Sequence, residues 1–392
     1  MRKILFAVVA AVAVVFSSCE KTEDLQIMDP NTDPVGFTEE IIPGQYIVYF
    51  ENQGLKSAYK TKVLADRAVL SRAESIFENA QVELPAPQLV FSAAVEGVVV
   101  NVSENEISKI VNAPGIEGVW PDKMVTLKKP GTLPSDPPAE SIPYGIERVG
   151  GGVSYTGGHK AWIIDTGIDL DHDDLNVDAA SGITYVPRTS SPDDDNGHGT
   201  HCAGIVGAID NEVGVIGVAA GATVVPVKVL DRRGSGAYST IIAGVDYVKA
   251  NASAGDAANM SLGGGVYEPV DIAVASLGAS GVFVSLAAGN ESDDADNHSP
   301  ARAEGTNLYT ISAMDDNDYW AYFSNFGEHV DYCAPGVSIL STYKGGAYAT
   351  MSGTSMAAPH VCGLLLATNG NIYTDGYVNG DPDGDADPIA HK

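Results

Sequence analysis

Beyond residue 144 the chain alternates two patterns: short continuous apolar runs, and stretches whose apolar residues recur at helical spacing. The runs KAWIID (160–165), ATVVPVKVL (222–230), ANMSL (258–262), GVFVSLAAGN (281–290) and NLYTISA (307–313) predict strands. THCAGIVGAI (200–209), YSTIIAGVDYVKA (238–250) and VDIAVASLGAS (270–280) between them predict helices. Strands apolar on both faces belong in a mostly parallel sheet with helices on both faces, the α/β class. No fixed-period internal repeat is present.

The preceding segment has a different rhythm. GQYIVYF (44–50) predicts a strand and KVLADRAVLSRAESIFENA (62–80) a helix. QLVFSAAVEGVVVNVS predicts a hairpin about Glu96 and Gly97, and SENEISKIVN a helix opened by a Ser103–Glu106 capping box. GIEGVWPDKMVTL supplies the last strand. The order β-α-β-β-α-β is that of a small α+β, ferredoxin-like domain. It carries no obvious chemistry of its own.

Between the two lies KKPGTLPSDPPAESIP (128–143), with five prolines and no periodicity, which predicts an exposed linker. The first residues, MRKILFAVVAAVAVVFSSCE, join a basic start to an apolar run over 4–16. That run is shorter than the roughly 20 residues a bilayer span requires and has the form of an export signal. The ending FSSC resembles a bacterial lipoprotein signal, which makes Cys19 the lipidation site; the alternative is ordinary cleavage near Ser18. The division expected is an export signal over 1–18, a flexible tether over 19–40, the small domain over 41–128, the linker over 129–143, the large domain over 144–368 and an acidic polar tail over 369–392.

Composition narrows the function. The chain has 392 residues and 44% hydrophobic content, enough for more than one core. Its 51 acidic and 22 basic residues give a net charge of −29. No Lys/Arg stripe offers phosphate contacts, so nucleic acid is not an expected partner. The expected state is a monomer.

Four positions in the large domain can do chemistry. Asp165 ends a predicted strand, where open parallel sheets gather their sites. His198 lies in DDDNGHGTHCAG at a helix start, and Ser355 opens the helix of GTSMAAPHVCG. A serine hydroxyl needs a base to take its proton, and the base needs a partner to hold its tautomer. Asn290, in SLAAGN, can donate an amide N–H to an oxyanion, with the Ser355 backbone N–H as a second donor. A helix cap is the other reading of Ser355.

DTGID, GHGTHCAG, AAGN, SPAR and GTSMAAPH together resemble the subtilisin-like serine proteases, particularly the proteinase K branch, over roughly residues 144–368. The residues Asp165, His198 and Ser355 stand in that family's order. The small domain resembles the family's inhibitory prodomain through YIVYF, FSAAVEG and VWPDKMVTL. The resemblance implies a serine endopeptidase acting on polypeptides through an acyl-enzyme. Ser355 is the nucleophile, His198 the base, Asp165 its orienting partner and Asn290 the oxyanion donor. It implies substrate pairing along Gly234, Ser235 and Gly236 and along Ser261, Leu262 and Gly263. Small residues at Ala287, Ala288 and Gly289 are expected to leave a pocket for a large apolar side chain, hence broad specificity. It implies a zymogen inhibited by its own prodomain and cut within about 125–141.

No cofactor is implied for catalysis. Structural Ca²⁺ is, and the acidic runs at 191–197 and 380–388 are the places for it, without an assignable ligand set. No metal-like spacing links the histidines, and His201 is expected to be structural. Cys202 is expected as a buried thiol; Cys333 and Cys362 are either two core thiols or a disulfide. Two alternatives stand beside the endopeptidase: a catalytically inactive protease fold that grips peptides, and an acid-active sedolisin-type peptidase. His198 and Asn290 speak against the second.

Overall fold

The computed structural model describes residues 37–127 and 135–392. The export signal over 1–18, Cys19 and most of the tether lie outside the described residues, as do 128–134 of the linker.

The small domain has the expected order: β1 (Phe37–Phe50), α1 (Leu55–Ala58), α2 (Lys62–Asn79), β2 (Leu89–Phe91), β3 (Gly97–Asn101), α3 (Glu104–Ile110) and β4 (Ile116–Leu127). Its strands run β4-β1-β3-β2, all neighbours antiparallel. The Ser103–Glu106 capping box is formed. Alternation along β1 explains why its end, Ile47–Phe50, is apolar on both faces. Val48 and Phe50 face α2 and α3, packing with Val69, Phe77, Ile107 and Ile110. Ile47 and Tyr49 face the opposite way, into the core shared with the large domain. Each large apolar side chain buried in this way contributes about 1.5–3 kcal/mol.

Order begins earlier than the sequence reading expected. Residues 37–41, assigned to the tether and the domain edge, are the first part of β1 and pair with β4 from Lys123 to Leu127. Their polar character hid them, because this stretch of strand is held by backbone pairing more than by burial.

In the large domain the strand Lys160–Asp165 sits at the centre of a parallel sheet. Thr223–Lys228 lies on one side of it. On the other follow Ala257–Met260, Phe283–Ala287, Leu308–Met314 and Tyr332–Pro335. Helices His198–Gly207, Tyr238–Asn251, Glu268–Gly278 and Thr354–Thr368 pack on it. The fold is thus the predicted α/β arrangement, with Asp165 at the carboxyl end of the central strand.

The segment 369–392 is not a loose polar tail. Pro388–His391 joins the sheet parallel to Tyr332–Pro335, and Tyr373–Tyr377 pairs antiparallel to it at the edge. Val378 and Ile389 pack with Met314, Cys333 and Trp320. Few apolar residues among many Asp and Gly masked this in the sequence; the sheet edge supplies the missing partners. Residues 135–141 of the linker are exposed but pinned by bridges from Ser135 to Tyr348, Ala139 to Val213 and Ser141 to Val215.

Candidate active site

Asp165 and His198 are brought together. The His198 Nδ1 lies 2.8 and 2.9 Å from the two carboxylate oxygens of Asp165, and both residues are buried. The Thr166 N–H also donates to Asp165 at 2.6 Å. Two glycines permit the approach. Gly197 has φ 115°, a backbone region that side chains rarely adopt. A Cβ on Gly199 would stand 2.1 Å from the Gly167 carbonyl oxygen.

Asp194 holds the same region from beneath. It accepts hydrogen bonds from the Thr166 hydroxyl, the N–H groups of Asn196, Gly197 and Thr200, and the Thr200 hydroxyl, all between 2.6 and 3.0 Å. It thereby ties the end of the central strand to the start of the His198 helix. The sequence reading missed this role, treating Asp194 only as part of an acidic run. Its density of N–H and O–H donors arises from folding and left no local signal.

Burial disfavours a charged His198 ring, but the Asp165 charge and hydrogen bond, with Asp194 behind, outweigh it and raise the imidazole above its usual range. Its Nε2 is buried and has no hydrogen-bond partner among the described residues.

Ser355 opens the helix Thr354–Thr368 beside this pair. Pro359 lies in that helix and has no N–H, so the Ser355 carbonyl lacks its usual helical donor. The Ser261 hydroxyl at 2.8 Å and the Cys202 thiol at 3.5 Å donate to it instead. Cys202 is on the His198 helix, and its sulfur lies within 4.8 Å of the Asp165 and His198 ligand atoms. The Ser355 hydroxyl is turned to the Ser261 carbonyl at 3.3 Å, not to His198. Asn290 is locked on the other side. Its Oδ1 accepts the Thr354 N–H at 2.8 Å and the Thr354 hydroxyl at 3.1 Å, which turns the amide NH2 away from Thr354.

The segment Gly234–Gly236, the first expected to pair with substrate, is occupied. β4 pairs antiparallel with Ser235–Ala237, and Leu127 N–H donates to the Gly234 carbonyl at 2.9 Å. The second is not paired with β4: residues 37–41 of β1 take that edge, and the Glu39 carboxylate stands against Gly264. Ser261, Leu262, Gly263, Ala287, Ala288 and Gly289 are all buried.

The remaining residues fall into structural roles. His201 donates from Nε2 to the carbonyls of Ile339 and Ala349, on the paired strands Ile339–Tyr343 and Ala347–Met351, and burial pushes its ring down to about 3. Cys202, Cys333 and Cys362 are all buried free thiols, so Cys333 and Cys362 form no disulfide. Cys333 lies on the strand Tyr332–Pro335 and Cys362 in the Ser355 helix, in separate clusters. Among the described residues, neither acidic run gathers three ligand atoms within 4.8 Å of one another. In 191–197, Asp194 is engaged as above and Asp195 pairs with Lys228 at 2.7 Å. In 380–388, Asp381, Asp383 and Asp385 lie near enough to Asp387 for their charges to raise its carboxyl. Among the described residues the one group of three possible ligands is Asp165, His198 and Cys202.

Residues 158–370 match the subtilase family, and residues 45–128 match the peptidase inhibitor I9 family. The chain is 36% identical over 368 residues to an extracellular serine proteinase of Thermus sp., covering 88% of this chain and 83% of that one. It is 42% identical over 256 residues to subtilisin E of Bacillus subtilis, covering 61% and 65% respectively. Among solved structures, a cold adapted subtilisin-like serine proteinase superposes with a TM-score of 0.55 at 35% identity, over 64% of this chain and 98% of that one. The chain therefore belongs to the subtilase family of serine endopeptidases, with an I9-type inhibitor domain ahead of its catalytic domain.

Proposed function

We propose that Asp165, His198, Ser355 and Asn290 are the working residues of this endopeptidase, and that the chain is an exported, self-processing zymogen. The observation that carries the reading is the buried His198–Asp165 pair, with an unpartnered Nε2 beside the start of the Ser355 helix. Ser355 Oγ, turned from the Ser261 carbonyl toward His198 Nε2, attacks the scissile carbonyl while the imidazole takes its proton. Catalytic hydrogen bonds are often open in the free enzyme and close with substrate. Asp165 holds the Nδ1–H tautomer and stabilises the imidazolium. The Asn290 NH2 and the Ser355 N–H, at the positive end of a helix, receive the oxyanion. The imidazolium then protonates the leaving amine, and water returns along the same path to free the acid.

Substrate adds as a strand beside Ser235–Ala237, in the manner that β4 does now. Backbone pairing there supports broad tolerance at the outer substrate positions. The β4 strand in the cleft supports inhibition by the prodomain until the linker is cut.

Export is supported by the basic and apolar start of the chain and by the extracellular relative. The FSSC sequence supports a lipid on Cys19, which would hold the prodomain to the cell envelope and free the catalytic domain after processing.

The decisive experiment compares the native chain with Ser355→Ala for maturation, casein hydrolysis and labelling by a serine-directed fluorophosphonate. The native chain matures, cuts and labels, and the variant does none of these. Equal behaviour of the two removes the mechanism and leaves a peptide-gripping fold.

A further inference from the structure

The strand that lies in the cleft shows its side chains to two environments, because successive side chains of a strand point to opposite faces. β4 pairs Met124 with Ala237, Val125 with Gly236 and Thr126 with Ser235. Val125 turns inward and is fully buried in the core. Thr126 turns the other way, and its hydroxyl donates to the Ser235 hydroxyl at 2.9 Å. Met124, two residues before it, shares that outer face and borders a cavity of about 450 Å³. The base of the cavity is apolar, formed by the buried Val186 and Val229. A polypeptide that pairs with Ser235–Ala237 as β4 does sets one side chain into this cavity. The Gly234 end of the segment is tied to the His198 helix, because Asn196 Nδ2 donates to the Arg232 carbonyl while Asn196 Oδ1 accepts the His198 N–H. Ala237 is the far end, so the cavity receives a residue upstream of the bond that is cut.

The rim of the cavity is cationic in a chain that is otherwise acidic. Three of the eight arginines border it, Arg188, Arg232 and Arg233, although the whole chain carries a net charge of −29. Two carboxylates also border it, and each is already paired: Asp195 with Lys228 at 2.7 Å, and Asp231 with Arg233 at 3.4 Å. Arg188 and Arg232 have no ion pair and no side-chain hydrogen bond among the described residues. The rim therefore keeps a positive charge at each of these two positions. The chain has 51 acidic residues, and it brings none of them to this pair. Two uncompensated guanidinium groups over an apolar base mark a place for an anionic group that comes from outside the fold.

We propose that this cavity is a distal substrate subsite that selects glutamate, at the upstream position paired with Ala237, through Arg188 and Arg232. The proposal rests on the serine endopeptidase reading above and adds a substrate class to it: extended segments with an acidic residue away from the reacting centre. Glutamate suits both parts of the cavity. Its two methylenes cover Val186 and Val229 while its carboxylate reaches the rim; aspartate is one methylene shorter. Backbone pairing with Ser235–Ala237 admits any side chain, and the cavity grades them. In the zymogen Met124 holds this position with an apolar side chain alone, so the prodomain leaves both arginines free for the substrate that replaces it.

The test uses the matured native enzyme on internally quenched peptides of one sequence, in which each residue upstream of the cut is set in turn to Glu or Gln. Glu is expected to exceed Gln in kcat/KM by about threefold or more at one upstream position, mainly through KM. Salt at about 1 M is expected to shrink that ratio, since the rim charges are exposed. Arg188→Gln combined with Arg232→Gln is expected to bring it to about one. In the full chain, Met124→Glu is expected to slow release of the prodomain after processing, as read by size-exclusion chromatography. A Glu-to-Gln ratio near one at every upstream position, a preference that survives loss of both arginines, or unchanged release of the Met124→Glu prodomain overturns the proposal while leaving the protease reading intact. Absence of hydrolysis of every peptide, with no fluorophosphonate labelling, overturns the protease reading itself.

Discussion

Asp246, on a helix of the catalytic domain, accepts the backbone N–H of Ala93, in the prodomain, at 2.6 Å. The same carboxylate takes the N–H groups of Ser92 and Ala94 and pairs with Lys62 at 2.8 Å. One buried anion thus terminates the β2–β3 turn and joins the two domains. Hydrogen bonds to a charged group contribute about 1.5–3 kcal/mol each, and removing one partner of a buried pair costs about 3–5 kcal/mol. In a Ser355→Ala background, which keeps the chain uncut, Asp246→Ala is expected to lower the Tm of the zymogen by several degrees and to expose the linker to added trypsin. An unchanged Tm would show that the domains are held elsewhere.

The histidine environment sets an acid limb. His198 must be neutral to accept the Ser355 proton, and its pKa is raised above the ordinary value near 6.5. Activity is therefore expected to fall as pH drops through a value above that figure. Asp165→Asn removes both raising influences of that side chain. The limb moves to lower pH and kcat falls by about 10⁴. A limb that stays in place would mean that Asp165 does not face the base.

Asn290 plays two parts that substitution can separate. Its Oδ1 anchors Thr354, and its NH2 is the proposed oxyanion donor. Asn290→Asp keeps an acceptor for Thr354 and loses the donor. We expect kcat to fall by at least about 10²–10³ with little change in KM. A change confined to KM would assign Asn290 to binding alone.

The sheet edge is expected to be pH-sensitive. Burial, with the charges of Asp381, Asp383 and Asp385, pushes the Asp387 carboxyl up to about 8 despite a hydrogen bond from Ser312. An unfolded Asp titrates near 3.9, so between about 4 and 8 the folded chain holds a proton that the unfolded chain has lost. Stability from this group is full below that window, declines as pH rises through it and levels above about 8. Asp387→Asn holds the neutral form throughout. Its Tm advantage over the native protein is expected to widen from pH 5 to pH 8, as read by calorimetry. A gap that does not vary with pH would mean that the carboxyl is ionised in the fold.

Residues 37–41 of β1 pair along β4, and Glu39 is bonded to Tyr238 and Lys123 at 2.8 and 3.0 Å. Truncating the chain before Gln45 is expected to speed release of the prodomain after processing. Size-exclusion chromatography of the processed chains measures this; equal co-elution of the two forms would make that strand passive.

Much of the site was legible in the residues because its parts are local. DTGID, GHGTH, AAGN and GTSMAAPH each encode a strand end or helix start with the functional group attached. KAWIID forms the predicted strand residue for residue, and Ser103 with Glu106 forms its box. The positions missed share one trait. Asp194, Glu291, His298 and the tail strands take their meaning from partners far along the chain. Asp194 reads as one carboxylate in an acidic run until the Thr166 strand end arrives above it. Glu291 stays exposed and is held by Asn325, a partner 34 positions along the chain.

The sequence by itself determined the element types and the two-domain order and singled out the candidate reacting groups, since propensity, capping and apolar period act over a few residues. Only the tertiary structure decided which edge of β4 meets which strand, where carboxylates end up facing one another, and that residues 369–392 complete a sheet. Those outcomes depend on hydrogen-bond donors and apolar faces supplied across the fold, and no local stretch of the chain carries them.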